Sequence, residues 1–366
     1  MSFEQSNLSR RALLVISALL PLAGGAAEAS AAVSAAGAGR AKDYYDRAAG
    51  LAGDDPVLRQ LVKALSLGAV IPEEVKAPKP LKIFDNVAVV STGFVSATAL
   101  LTSGGVILID ALGSPDDAKK IIVPELRSLG VDPATIRYVV AAHGHGDHFG
   151  GAQYLADRYG ARVMMAPADW RLVAADRPAN APKRDLDIAD GQRLTLGDTT
   201  VTFHHTPGHT PGTVSSIFPV RWRGQRHTAM LWGGTNPPTA TKDKRAYLAS
   251  VLAFAARMRQ AGVDVELNNH GLCDHGLARM EELRGRSSGA ANPFVVGAPR
   301  AQRFMKVMET MLRGRIATDR EASAATRPAA GSAGPMASAA ARPMAGSAGS
   351  ATRPAAGPVR SVPRCC

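Results

Sequence analysis

The six residues His143-Gly144-His145-Gly146-Asp147-His148 constrain this chain more than any other part of it. They follow an apolar run, Tyr138-Val139-Val140-Ala141-Ala142, and precede Gly150-Gly151 and a helical pattern from Ala152 to Tyr159. The cluster therefore belongs in a loop at the carboxyl end of a buried strand, where functional loops are carried on a rigid scaffold. In an extended segment His143 and His145 project to one side while the adjacent Asp147 and His148 diverge, an arrangement that allows two metal ions rather than one. The intervening glycines let the backbone turn tightly.

Two more histidines are expected at the same rim. Thr206-Pro207-Gly208-His209-Thr210-Pro211-Gly212 places His209 in a turn-rich loop after the strand Val201 to His204. His270 follows the strand Val263 to Leu267 and Asn268-Asn269. Histidines delivered by several post-strand loops are what one site at one sheet edge requires. His275 is the rival of His270, which ends its strand directly. His204 and His205 alternate, one toward the core and one outward, and read as structural. His227 falls in a hairpin and is expected to be exposed. The only cysteines are Cys273, Cys365 and Cys366, so neither a disulfide framework nor a zinc ribbon is possible. A metal site must rely on histidine and carboxylate.

Short β-rich runs, Leu81 to Phe84, Val87 to Val90, Thr98 to Thr102 and Val106 to Asp110, read as stacked antiparallel strands. Ser114-Pro115-Asp116-Asp117 is a helix start, with Gly130 as its end and Pro124 as a kink. Strands follow at Ile136 to Ala142 and Ala161 to Met165. Residues Leu194 to Leu231 return to strands with turns at Gly197-Asp198 and Gly224-Gln225, and a helix fits Lys244 to Gln260. Sheet and helix alternate over about 200 residues, which suits two sheets packed face to face with helices outside. The 46% apolar content is enough for such a core.

Flanking segments have other roles. Ser9-Arg10-Arg11 opens an apolar stretch to Leu22, followed by small residues with cleavage options near Ala29 and Ala31, so residues 1–31 read as a signal peptide. The paired arginines look like a twin-arginine signal and imply twin-arginine export machinery as a partner; an ordinary secretory signal is the alternative. Either implies a periplasmic or secreted bacterial protein. Residues 32–80 form an N-terminal helical extension, residues 81–318 the main domain, and residues 319–366 a disordered tail rich in Ala, Pro, Ser, Gly and Arg, or alternatively a stalk or tether. No segment is apolar for long enough to span a bilayer, so an integral membrane protein is not expected. The net charge of +12 is dispersed among acidic residues, with six arginines beyond Asp319, and no basic run marks a nucleic-acid partner.

The H-x-H-x-D-H loop, the T-P-G-H-T-P-G loop and the late histidine resemble the motifs of the metallo-β-lactamase superfamily over about Leu81 to Leu312. The resemblance implies an α+β, four-layer αββα sandwich. It implies two zinc ions per chain, His143, His145 and His209 holding the first and Asp147, His148 and His270 the second, with a metal-bridging hydroxide attacking a carbonyl and Asp147 orienting it.

Glyoxalase II, lactonases and phosphodiesterase relatives carry an acidic bridging ligand on the strand that here reads Met230-Leu231-Trp232-Gly233-Gly234-Thr235. No acid is present, and the set of five histidines and one aspartate is most similar to the third, His-rich subclass of class B β-lactamases. That implies opening of a β-lactam ring, with a periplasmic lactonase or esterase, or a glyoxalase II-like thioesterase, as the alternative. Those lactamases carry proline after the late histidine and serine on the glycine-rich strand, where this chain has Gly271 and Gly234-Thr235. Thr235, Asn236 or Lys242 stand in as contacts to a substrate carboxylate, and the basic body favours a small anionic substrate. A non-catalytic zinc-binding protein is the reading of a different class; the complete ligand set speaks against it.

Overall fold

Alternation along the strands sorts the apolar side chains into separate cores. In the computed structural model, which describes residues 39–69, 75–287 and 289–326, strand β2 (Val87–Ser91) is buried throughout. Val87 and Val89 enter one core while Ala88 and Val90 enter another. β4 (Gly105–Ile109) divides in the same way, with Ile107 and Ile109 on one side and Val106 and Leu108 on the other. A strand buried on both faces lies in a sheet covered on both faces.

That sheet has seven strands in sequential order: β1 (Leu81–Phe84), β2, β3 (Ser96–Thr102), β4, β5 (Ile136–Val140), β6 (Arg162–Met165) and β7 (Leu186–Asp187). The first four pair antiparallel, and from β4 onward the pairing is parallel. A second sheet has the order β12 (Val265–Asn268), β11 (Gln225–Trp232), β10 (Val214–Trp222), β9 (Thr199–His205), β8 (Arg193–Leu196). The sheets meet through Phe84, Ile109, Val140, Phe203, Phe218, Leu231 and Leu267, and helices cover both outer faces. The αββα sandwich expected from the motifs is the architecture observed. The β10–β11 turn falls on Arg223 and Gly224, both at positive φ, one residue before the expected position.

Helices α1 (Ala41–Ala52) and α2 (Pro56–Leu65) pack behind the second sheet against the last helix. Then come α3 (Pro115–Asp117), α4 (Val123–Ser128), α5 (Gly146–Phe149), α6 (Ala152–Tyr159), α7 (Pro167–Asp176), α8 (Thr241–Ala261), α9 (Gly276–Gly285) and α10 (Ala298–Ala325). Ser114 caps α3, its hydroxyl accepting from Asp117 N at 3.0 Å. Ahead of Pro124 the helix widens into a π turn over Ala118–Ile122, because proline has no N–H and its ring crowds the carbonyl a turn earlier.

One boundary needs correction. α10 runs to Ala325, past the start of the tail expected at residue 319. Alanine, glutamate and arginine sustain a helix there, and Asp319 is held by Lys244 Nζ at 2.7 Å and Thr241 Oγ1 at 2.6 Å, while Glu321 accepts from Ala41 N at 2.8 Å. The rest of the expected tail and the signal at 1–31 lie outside the described residues.

Asp55 joins the extension to the domain. Its carboxylate caps α2, accepting from Val57 N at 3.0 Å and Leu58 N at 3.3 Å, and also pairs with Arg300 of α10. Burial alone would raise its pKa, but Arg300 and the capping amides outweigh that and hold it below the ordinary carboxylate range. A depressed folded-state pKa gives stability that is present above the unfolded value and lost as pH falls. Asp55→Ala is expected to cost about 1–2 kcal/mol at pH 7, with the difference from wild type shrinking as pH falls below about 4 in denaturant titrations.

Candidate metal centre

Loops at one rim of the sandwich supply the histidines and carboxylates. His143 and His145 follow β5, and Asp147 and His148 lie in the single turn of α5. His209 lies between β9 and β10, and His270 follows β12, as expected. The β5 loop is tied to both sheets: Ala142 N donates to Asp110 Oδ1 at 2.8 Å, and Val214 N donates to Ala142 O at 2.8 Å.

The outer ring nitrogens decide what the inner ones can do. His143 Nδ1 lies 2.7 Å from Gly233 O, His209 Nδ1 2.7 Å from Asn236 O, and His270 Nδ1 2.8 Å from Phe94 O. Carbonyls only accept, so each of these imidazoles carries its proton on Nδ1 and turns an Nε2 lone pair inward. His148 Nδ1 donates to Asp110 Oδ2 at 2.8 Å. Inside, His209 Nε2 is 3.2 Å from His143 Nε2 and 3.1 Å from His145 Nδ1. Asp147 Oδ2 is 3.3 Å from His148 Nε2 and 3.5 Å from His270 Nε2, which are themselves 3.1 Å apart. Two ligand groups result, joined where the His143 and His148 rings lie 3.8 Å apart.

These residues fit a metal ion. The Nε2 lone pairs of His143 and His209, facing one another at 3.2 Å, repel unless a cation lies between them, and the edge of a tetrahedral zinc site with bonds of about 2.05 Å is about 3.3 Å. Asp147 Oδ2 is buried without a hydrogen-bond partner, as a waiting ligand atom would be. His143, His145 and His209, and His143, Asp147 and His148, each bring their donor atoms within 4.8 Å of one another. Imidazole and carboxylate together suit zinc.

Burial sets the protonation states. It pushes His209 down to about 3 and His270 to about 4, and holds His143 well below its ordinary value, so all three are neutral ligands at physiological pH. Burial opposes the charge on His148 as well, but Asp147 and Asp110 outweigh it and lift His148 to about 10. Burial works against ionised Asp147 too, and His148 and His270 overcome it, keeping its pKa below the ordinary range.

Sequence reasoning gave no role to several residues that support this ring. Asp110, fully buried at the end of β4 and at φ 64°, orients His148 and also accepts from Asn269 Nδ2 at 3.2 Å. In the sequence it is the acid ending an apolar strand, within Leu108-Ile109-Asp110-Ala111-Leu112, a segment that resembles the His-rich lactamases. The Phe94 ring packs edge-on against His270 at 4.9 Å. Behind His270, buried Arg279 pairs with Glu266 and Asp274, which lie on either side of that histidine in sequence; burial keeps Glu266 well above its ordinary pKa.

Of the three expected substrate contacts, Thr235 alone has a side chain turned into the protein. Thr235 is buried, and its hydroxyl accepts from Asn268 Nδ2 at 2.7 Å, so it holds the strand end instead of presenting to the cleft. Asn236 offers its backbone carbonyl to His209, and Lys242 is exposed on α8. Side-chain direction after two glycines cannot be read from strand alternation. His275 is exposed and stands apart from the groups. His227, expected to be exposed, is half-buried and donates to Asp264 Oδ2 at 2.6 Å, because β12 lies alongside β11.

Residues 90–221 match the sequence model of the metallo-beta-lactamase superfamily. The chain carries a metallo-beta-lactamase superfamily domain. Among curated proteins, a hydroxyacylglutathione hydrolase of Anaeromyxobacter dehalogenans (strain 2CP-C) is 31% identical over 170 residues, covering 46% of this chain and 58% of its own length. One from Acidiphilium cryptum (strain JF-5) is 40% identical over 81 residues, covering 22% of this chain and 30% of its own length. The matches thus span little more than half of these relatives at most. Among solved structures, BJP-1, a subclass B3 metallo-beta-lactamase of Bradyrhizobium japonicum, superposes with a TM-score of 0.58 at 24% identity, covering 70% of this chain and 99% of that one. A Cronobacter sakazakii metallo-beta-lactamase with a HARLDQ motif gives a TM-score of 0.53 at 28% identity, covering 68% and 96%.

In the metal-free superfamily domain His148 holds a proton at pH 7, and a ligand must be neutral. Zinc uptake at pH 7 is expected to release about one proton, and affinity to rise about tenfold per pH unit between about 7 and 9. Zinc titration in weakly buffered indicator, repeated across pH, measures both; pH-independent affinity would contradict the assignment.

Proposed function

We propose that this protein is a zinc-dependent hydrolase that opens β-lactam rings, with one zinc held by His143, His145 and His209 and a second by Asp147, His148 and His270. When bound, the metals supply an acidified water as nucleophile and a Lewis acid for the carbonyl. The protein's own residues orient that chemistry. The outward hydrogen bonds of the imidazoles hold the inward nitrogens in place. Phe94 gives the rim beside His270 an apolar wall.

The end of β11 carries the choice of bond. The resemblance puts the relatives' bridging acid on the strand that here ends Gly233-Gly234, and a Cβ on Gly234 would lie 2.7–2.8 Å from His209. Glycine is required there for backbone and imidazole to approach so closely. A five-histidine, one-aspartate site without that acid matches the reading from the motifs, and the likeness to solved metallo-beta-lactamases over 95% or more of their length supports it. Thioester hydrolysis is the second reading, favoured by the names of the curated relatives.

The full chain is expected to hold about two zinc ions and to hydrolyse a chromogenic cephalosporin in a chelator-sensitive reaction, with turnover falling at least about 100-fold in His145→Ala. Preferential cleavage of a hydroxyacylglutathione thioester would transfer the assignment to the second reading. A folded protein with neither zinc nor turnover would exclude both.

A further inference from the structure

We infer that Asp169, 21 residues beyond the H-x-H-x-D-H loop, is a positioning residue that sets the ligand group of His143, His145 and His209. The inference rests on the metal reading above. Asp169 lies in the first turn of α7 with no exposed surface. Its Oδ2 accepts from Gly144 N at 2.7 Å and from Thr210 Oγ1 at 2.6 Å, and its Oδ1 accepts from Gly212 N at 2.7 Å. Gly144 stands between His143 and His145, and Thr210 and Gly212 follow His209. One carboxylate therefore joins the two loops whose inner nitrogens, His145 Nδ1 and His209 Nε2, must meet at 3.1 Å.

The chemistry of the partners demands an acid here. Two are backbone N–H groups that only donate, and the Thr210 hydroxyl donates as well, so Asp169 accepts three times and donates to none. Both loops press on it. A Cβ on Gly144 would lie 3.1 Å from Asp169 Cβ, and one on Gly212 would lie 2.7 Å from Asp169 Cγ. No cation pairs with this carboxylate among the described residues, and burial raises its pKa against the three hydrogen bonds. A buried carboxylate without a cation is costly to desolvate and a poor way to fill space. What it secures is the mutual register of the two loops. The substitution Asp169→Asn would keep the shape but point an N–H2 group at a donor, and so separates hydrogen bonding from packing.

Zinc competition with a chromophoric chelator on the full chain tests this in two backgrounds. In His270→Ala, where the His143 group is left intact, adding Asp169→Asn is expected to weaken zinc binding about 10- to 100-fold. In His145→Ala, where the other group is left, adding Asp169→Asn should change affinity less than about twofold. Thr210→Val, which removes one of the three donors, should weaken binding in the first background in the same direction and carries the test if Asp169→Asn does not fold. Unchanged affinity in the first background, or equal loss in both, would overturn the positioning role. Zinc binding by neither parent would overturn the metal reading and the inference with it.

Discussion

Everything at the rim depends on where the imidazole protons are. Backbone carbonyls of Gly233, Asn236 and Phe94 take the Nδ1 protons of His143, His209 and His270, and the Asp110 carboxylate takes that of His148. The inner nitrogens are left to converge, and the facing lone pairs of His143 and His209 call for a cation between them. The acceptors come from the end of β11, from the loop after it and from the β2–β3 turn. The backbone of the sandwich, more than any catalytic side chain, therefore writes the tautomers.

The two sheets make this possible by ending together. β5 of the first sheet and β9, β11 and β12 of the second deliver their loops to one rim, and the shared core between the sheets fixes their spacing. Helices behind the second sheet hold the β11 end from outside: the Tyr247 hydroxyl of α8 lies 2.6 Å from Gly234 O, and Trp232 Nε1 donates to the same carbonyl at 2.7 Å. Packing thus reaches the metal ligands through hydrogen bonds to a two-glycine turn. Dense packing also removes water, which is why His209 and His270 stay neutral and Asp147 Oδ2 is left without a partner.

The likenesses to known proteins point in two directions. Sequence identity with hydroxyacylglutathione hydrolases covers only part of their length, whereas the likeness to solved metallo-beta-lactamases covers nearly the whole of theirs. At Gly234 a Cβ would lie 2.7–2.8 Å from His209, so glycine fits the close approach of that imidazole.

The sequence alone determined the layers and which histidines gather at one rim. Period-two burial in β2 and β4 is written in their apolar runs, and a histidine ending a strand can only lie at a sheet rim. Composition likewise showed that cysteine could not furnish the site. Tertiary structure decided what depends on contacts across long sequence separations. In sequence Asp169 is an ordinary residue of a helix that no clear pattern announces, and only folding places it between Gly144 and Gly212. Thr235 and His227 depart from expectation because Asn268 and Asp264, the partners that draw them inward, come from β12 and the residue just before it. A linear sequence encodes which face of an element is apolar; it does not encode which distant donor a buried carboxylate will meet, because that is settled only when the sheets close on one another.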